Sequence, residues 1–140
     1  MKTILLFLLT LSVSAQTTKT VLKKGSIYNW KIERMNSYDS TRVYFTFDCL
    51  KSANSSGMYI GIVDKSELKS LINELRVFAC TLDNLEHYQR YDSFSITRPE
   101  NSTKVLLTDC LGGYLYLSRT SAKGLATEIE NNINLMSDEQ

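Results

Sequence analysis

The stretch DKSELKSLINELRVFACTLDNL, residues 64–85, predicts the clearest amphipathic helix in the chain, around which the rest of the fold can be placed. Asp64 is placed to cap its first turn, and Glu67 is the reciprocal partner that a capping box uses. The apolar stripe is shorter than three heptads, which favours a helix packed on a sheet over a coiled-coil seam or a partner-binding face. The stripe consists of Leu68, Leu71, Ile72, Leu75, Phe78, Ala79, Leu82 and Leu85.

Segments of alternating polarity lie on both sides of this helix, and their period of two predicts strands. They are 26–32, 42–50 and 58–63 before the helix, and 92–97, 104–110 and 114–119 after it. Residues 17–24 look like a solvated lead-in. The stretch 120–136 predicts a second helix, which is capped by Thr120 or Ser121. Its buried stripe is Leu125, Ile129, Ile133 and Met136.

The element order is therefore β-β-β-α-β-β-β-α, which predicts an α+β domain of two layers. We expect one antiparallel sheet of about six strands, with both helices packed on one face. A tyrosine-bearing strand precedes each helix, which suggests an internal duplication. Residues 16–136 form a single domain in this prediction, and 137–140 form a loose acidic tail.

Residues 1–15 have the pattern of a secretory signal peptide: a lysine, a short apolar run and small residues that end at Ala15. The apolar run is near half of the roughly 20 residues that span a bilayer. The remaining alternative is a buried N-terminal strand. Cleavage near Ala15 predicts a secreted or periplasmic protein without a membrane span.

The charge of the exported chain is balanced. The whole chain has 16 Lys and Arg against 15 Asp and Glu, and the signal peptide removes Lys2, so 15 of each remain. Nucleic-acid binding depends on a basic excess, so this class of partner is not expected. A neutral exported domain gains little colloidal protection from charge, which favours a protein that lives bound to a protein or glycan partner.

Three cysteines, Cys49, Cys80 and Cys110, allow at most one internal disulfide and leave one thiol over. Alternatively, two or all three are small buried apolar residues. Cys80 lies off the helix stripe and is the one expected nearest solvent. Their spacing matches no metal site, and His87 is the only histidine, so we predict no metal and no cofactor.

Catalytic motifs do not emerge from the sequence. No G-x-S-x-G elbow occurs, and no pair stands out among the carboxylates. A thiol nucleophile would need His87, which the helix prediction places at the exit of the first helix. These observations favour a non-enzymatic role. A small secreted enzyme that uses a thiol or a carboxylate pair remains an alternative, as does a stoichiometric inhibitor that presents loop 52–57 or 98–102.

The aromatic inventory is the most suggestive feature, with eight tyrosines and Trp30 in a small domain. Tyr44 lies on the predicted polar face of its strand beside Arg42, and Tyr59 lies on a strand that borders a helix, as do Tyr114 and Tyr116. Exposed tyrosines with polar neighbours are typical of peptide-binding and sugar-binding surfaces. Tyrosine also packs at sheet margins without any function.

From these observations we expect an exported binding module, and Arg42, Tyr44 and Tyr59 are the candidate contact residues. Asn54 and Asn101 begin Asn-x-Ser/Thr triplets. They would accept glycans in a eukaryotic secretory pathway and are ordinary turn residues in a bacterium.

Overall fold

A computed structural model describes residues 16–49, 58–81, 86–109 and 113–136, with only the backbone for 47–49 and 58–59. Its elements are β1 (Thr18–Lys24), β2 (Lys31–Asn36), β3 (Thr41–Cys49), β4 (Met58–Ile62), α1 (Lys65–Cys80), β5 (His87–Arg90), β6 (Phe94–Arg98), β7 (Lys104–Asp109), β8 (Tyr114–Ser118) and α2 (Arg119–Glu130), followed by a 3₁₀ turn at Ile133–Leu135. Several predictions lie outside the described residues: the signal peptide 1–15, the tail 137–140, the stripe positions Leu82 and Leu85, Asn54 and Cys110.

The described strands form two antiparallel sheets of four, in the orders β1-β2-β3-β4 and β5-β6-β7-β8. Each sheet is followed along the chain by one helix. The α+β class is thus confirmed, whereas the prediction of a single six-stranded sheet is wrong. The prediction that both helices pack on one face stays a prediction.

The two strands that the sequence analysis missed, β1 and β5, both lie at sheet edges. β1 consists mainly of Lys and Thr, and β5 is fully exposed, so neither has the buried face that produces alternation. Backbone pairing with β2 and β6 holds them in place. Residues 17–24 are therefore not a lead-in, because most of them form an edge strand whose lysines discourage further strand addition.

The first half of the predicted strand 26–32 is a tight turn. Tyr28 and Asn29 have positive φ angles of 55° and 51°, and the Gly25 backbone N–H donates to the Trp30 carbonyl at 2.8 Å. A Cβ on Gly25 would lie 1.9 Å from Trp30 Nε1. Glycine is therefore required here, because the chain passes directly against the indole.

The helix boundaries correct two further predictions. The Asp64 side chain accepts from the Ser66 backbone N–H at 2.8 Å, which confirms it as the cap of α1. The Ser66 hydroxyl donates to the other Asp64 oxygen at 2.6 Å. The hydrogen bonds from the hydroxyl and from the backbone N–H, in that order, lower the pKa of Asp64. α1 ends at Cys80, so His87 belongs to β5 and does not lie at a helix exit. α2 is capped by Ser118, which lies two residues before Thr120 and three before Ser121, the predicted caps.

The core is one cluster of buried apolar side chains to which both halves contribute. The predicted stripe positions of α1 from Leu68 to Phe78 are buried, as are Leu125 and Ile129 of α2. The helices contact each other directly. The largest fully buried side chains include Trp30, Ile32, Phe45, Ile60, Ile62, Leu71, Leu75, Ile96, Leu107 and Leu115.

Each helix also uses a carboxylate to hold the first hairpin turn of the opposite half. Glu67 of α1 accepts from the Ser93 N–H at 2.6 Å and from its hydroxyl at 2.7 Å. The capping-box prediction required Glu67 to bond to the cap of its own helix. That prediction is wrong, because both oxygens of Glu67 accept from Ser93. Glu128 of α2 accepts from the Ser26 N–H at 3.1 Å and from Trp30 Nε1 at 2.8 Å. In the described ranges, no helix is long and apolar enough to cross a membrane.

Candidate functional site

The outer face of the first sheet, opposite the core, brings together two of the three predicted binding residues. Strand register places Lys19, Met35 and Arg42 in one row across β1, β2 and β3. Side chains of such a row lie on the same face of the sheet. Together with Tyr44, Gly61 and Val63 they enclose a groove of about 290 Å³, which we call the basic groove.

The tyrosine ring of the basic groove is its floor. Tyr44 is only 6% exposed, so the prediction that it lies open to solvent on a polar face is wrong. The ring is covered because cross-strand neighbours lie over it, with Lys19 Nζ at 5.8 Å from the ring centroid. Arg42 is exposed, as predicted, and Val63 retains 38% exposure at the rim.

The charge on this face is predominantly positive. By strand alternation and register, Lys19, Lys24, Lys31 and Arg42 belong to it, against the acids Glu33 and Asp48. Residues 16–49 contain six Lys and Arg against three Asp and Glu. A local charge count over the first hairpins could have found this excess, which disappears in the near balance of charge over the whole chain.

Tyr59, the third predicted binding residue, lies on β4, where its backbone pairs with Asp48 of β3. It is two residues from Gly61 and therefore on the same face by register. Nothing is described of its side chain or of that of Cys49, which ends β3. Cys80 is an exposed free thiol at the end of α1.

The outer face of the second sheet differs in chemistry. Two cross-strand rows cover it, Tyr88–Thr97–Leu106–Tyr116 and Arg90–Ser95–Thr108–Tyr114. The three tyrosines are 60%, 46% and 36% exposed in the order Tyr88, Tyr116 and Tyr114. We call this surface the tyrosine face. Its β5 contribution escaped the sequence analysis because β5 itself was missed.

His87 lies beside a small cavity of about 170 Å³ between α1 and the second sheet, which Phe78, Ile96 and Arg98 also line. Its Nε2 lies 3.1 Å from a Glu74 oxygen, so a carboxylate and not a thiol is its described partner. The Tyr91 hydroxyl donates to the same carboxylate at 2.7 Å. Burial, this hydrogen bond and the negative charge of Glu74 raise the pKa of Tyr91 to about 12.

The described residues include no group of three or more His, Cys, Asp or Glu that could hold a metal ion. Comparisons of the chain with known protein families, with characterised proteins and with solved structures found no match. Function must therefore be argued from the surface chemistry of this chain.

Proposed function

We propose that the protein is an exported, non-enzymatic binding module that holds a protein partner on the basic groove. The observation that carries this proposal is the convergence of Arg42 and Tyr44 with Lys19, Met35 and Val63 around a single groove. Arg, Tyr and Met are residue types that protein interfaces favour. Their clustering on one open sheet face supports recognition of a macromolecule.

A protein partner is favoured over a glycan because the groove combines an apolar floor with charged flanks. Sugar-binding surfaces commonly use exposed aromatic rings, whereas the Tyr44 ring is buried. The tyrosine face has more exposed rings, but the charged residues that register places on it, Arg90 and Lys104, lie in different rows and do not flank a common apolar position. The basic groove offers both charge and shape.

The enzymatic alternative keeps less support. His87 and Tyr91 both contact Glu74. These three side chains form a hydrogen-bonded cluster that links α1 to β5 and the following turn. An inhibitor that presents loop 52–57 would use residues outside the described part of the chain. Loop 98–102 remains available to such a role, and exchange of that loop tests it separately.

Site-specific photo-crosslinking in the source cell tests the proposed function. The photoreactive residue p-benzoyl-phenylalanine replaces Arg42 in one variant and Lys123, an exposed residue of α2, in a matched control. We expect a discrete protein adduct from position 42 and none from position 123. The purified partner should then bind the unmodified protein at a fixed stoichiometry in calorimetry.

An adduct of equal intensity from both positions would contradict the proposal, as would the absence of any adduct at position 42. An adduct that glycosidase treatment removes would identify a glycan in place of a protein. The intact mass of the exported protein tests the compartment, because cleavage after Ala15 predicts a chain that begins at Gln16.

A further inference from the structure

We infer that the basic groove accepts an extended acidic segment of its partner, with one apolar side chain inserted between Met35 and Val63, above the buried Tyr44 ring. This inference rests on the proposed function and names the chemistry of the partner at the same site. Its basis is the combination of charge at the flanks and apolar surface between them.

The charge argument starts from the row Lys19–Met35–Arg42. Two basic side chains lie on either side of an apolar one, and neighbouring strands are separated by roughly 5 Å, so the two charges originate about 10 Å apart. Lys24 and Lys31 add positive charge further along the same face. Complementary charge steers association and fixes register, so an acidic segment matches this face and a basic one is repelled.

Glu33 is an acid on this face, and it limits where a carboxylate of the partner can lie. It pairs with Val21 and Tyr44 in the second row, and its carboxylate accepts from the Thr46 hydroxyl at 3.5 Å. The row that contains Arg42 is therefore the more favourable one for an acidic side chain. The partner carboxylates are expected over Lys19 and Arg42.

The apolar surface of the groove favours an acidic peptide over other anionic ligands. The thioether of the half-buried Met35 and the exposed rim valine offer contact area that a phosphate chain would not use, and the buried Tyr44 ring supports this surface from below. In an extended peptide, side chains two residues apart point to the same face at about 7 Å spacing. An apolar residue with an acid two positions before it and another two positions after it can therefore reach the floor and both flanks.

The experiment uses three fluorescein-labelled seven-residue peptides and the complete exported protein. One peptide has a central leucine with glutamates two positions away on each side. The second replaces the leucine by serine, and the third replaces both glutamates by lysine. Fluorescence anisotropy at low and at high salt reports binding. We expect measurable binding of the first peptide, a rise in Kd of several-fold for the second, and no binding of the third.

Charge reversal of the protein provides the matched control. An exposed ion pair contributes up to about 1 kcal/mol, which is roughly fivefold in Kd. The double variant K19E/R42E replaces two attractions by repulsions and should raise the Kd more than tenfold. The variant K123E, which reverses an exposed charge on α2, should change it less than twofold. Circular dichroism of all variants confirms that they are folded.

Equal binding of the leucine and serine peptides would overturn the inference, because charge alone would then account for binding. So would equal weakening by K19E/R42E and K123E. If the acidic peptide does not bind while the adduct at position 42 persists, the partner chemistry is wrong and the proposed function stands. Loss of the adduct itself would remove the proposed function.

Discussion

The two halves of the molecule share one order of strands and helix, and they differ on the outer faces of their sheets. In both, a four-stranded antiparallel meander is followed by a helix, and the helix carboxylate holds the hairpin turn of the other half. The inner faces are mainly apolar, although Arg98 and Asp109 are buried on the inner face of the second sheet. The outer faces diverge into the basic groove and the tyrosine face. Packing therefore constrains the shared features, whereas the solvent-facing residues are free to carry function.

The hairpin turns show a second difference between the halves. In the first half, Glu128 accepts from two backbone N–H groups, a hydroxyl and an indole. In the second half, the donors to Glu67 among the described residues are the N–H and the hydroxyl of Ser93. Trp30 stacks on Phe45 with centroids 5.8 Å apart, and Phe94 stacks on Tyr91 at 4.6 Å. The turn of the first half is thus held by more hydrogen bonds than the turn of the second half.

The largest expected effect comes from removing the indole of the first turn. Trp30 is fully buried, and a large-to-small change of this kind costs about 3–5 kcal/mol of unfolding free energy. We expect Trp30→Ala to lose most of its stability in urea denaturation. Trp30→Phe keeps the ring and removes the donor to Glu128, so it should cost less.

Phe94→Ala is the corresponding change in the second half. Phe94 is 2% exposed and has no polar group to lose. Its cost should therefore be smaller than that of Trp30→Ala. If Phe94→Ala proves the more destabilising of the two, then the view that the first turn is more firmly tied is wrong.

The two helix carboxylates come next. Removal of Glu128 should lower the unfolding free energy by about 2 kcal/mol, and removal of Glu67 should lower it by about 1 kcal/mol. Hydrogen bonds to a charged group are worth more than neutral ones, and Glu128 has more donors than Glu67. Thermal and urea unfolding of Glu128→Ala and Glu67→Ala measure both. Equal losses would show that the number of donors does not set the strength of these contacts.

Acid titration separates the charge of Glu128 from its shape. Burial raises the pKa of Glu128, but hydrogen bonds from Ser26, Trp30 and Ile27 outweigh it and hold the pKa below the ordinary 4.5. This contribution to stability is present above pH 4.5 and is lost as the pH falls through the lowered native pKa. Glu128→Gln should therefore show a flatter loss of stability in acid than the wild type. An unchanged acid profile would contradict this assignment.

Tyr91 should produce a smaller effect at the alkaline end, about 1 kcal/mol at neutral pH from one hydrogen bond to a carboxylate. Because its native pKa is raised to about 12, the native state favours the protonated phenol. That stabilisation is complete below pH 10 and is lost as the pH rises through 12. The difference in unfolding free energy between wild type and Tyr91→Phe should shrink over this interval. A constant difference would mean that Tyr91 does not retain its proton.

The sequence predicted the parts of the fold that bury a face. The stripe of α1, the Asp64 cap and the alternation around Val43 and Phe45 all reflect packing against a core, which produces a periodic pattern. β1 and β5 were missed because an edge strand held by backbone pairing needs no such pattern. The turn before β2 was read as strand because Trp30 and Ile32 alternate, although positive φ angles at Tyr28 and Asn29 reverse the chain there.

The candidate site was predicted only in part. Arg42 and Tyr44 were found because a polar face of a strand is visible from alternation. Lys19 and Met35 were missed because they join the groove through cross-strand register, and register depends on turn geometry that the sequence pattern does not specify. The burial of Tyr44 follows from the same neighbours, which no single strand reveals.

The smallest expected effect concerns the ion pair that joins the two helices at the surface. Arg76 of α1 donates to Glu130 of α2 at 2.8 Å, but the two side chains are 47% and 46% exposed. Exposed pairs contribute little because solvent screens them and both side chains lose freedom. Arg76→Ala should change the unfolding free energy by less than about 0.5 kcal/mol, with little dependence on salt. A loss above about 1 kcal/mol would mean that this pair contributes more to the contact between the helices than an exposed ion pair ordinarily does.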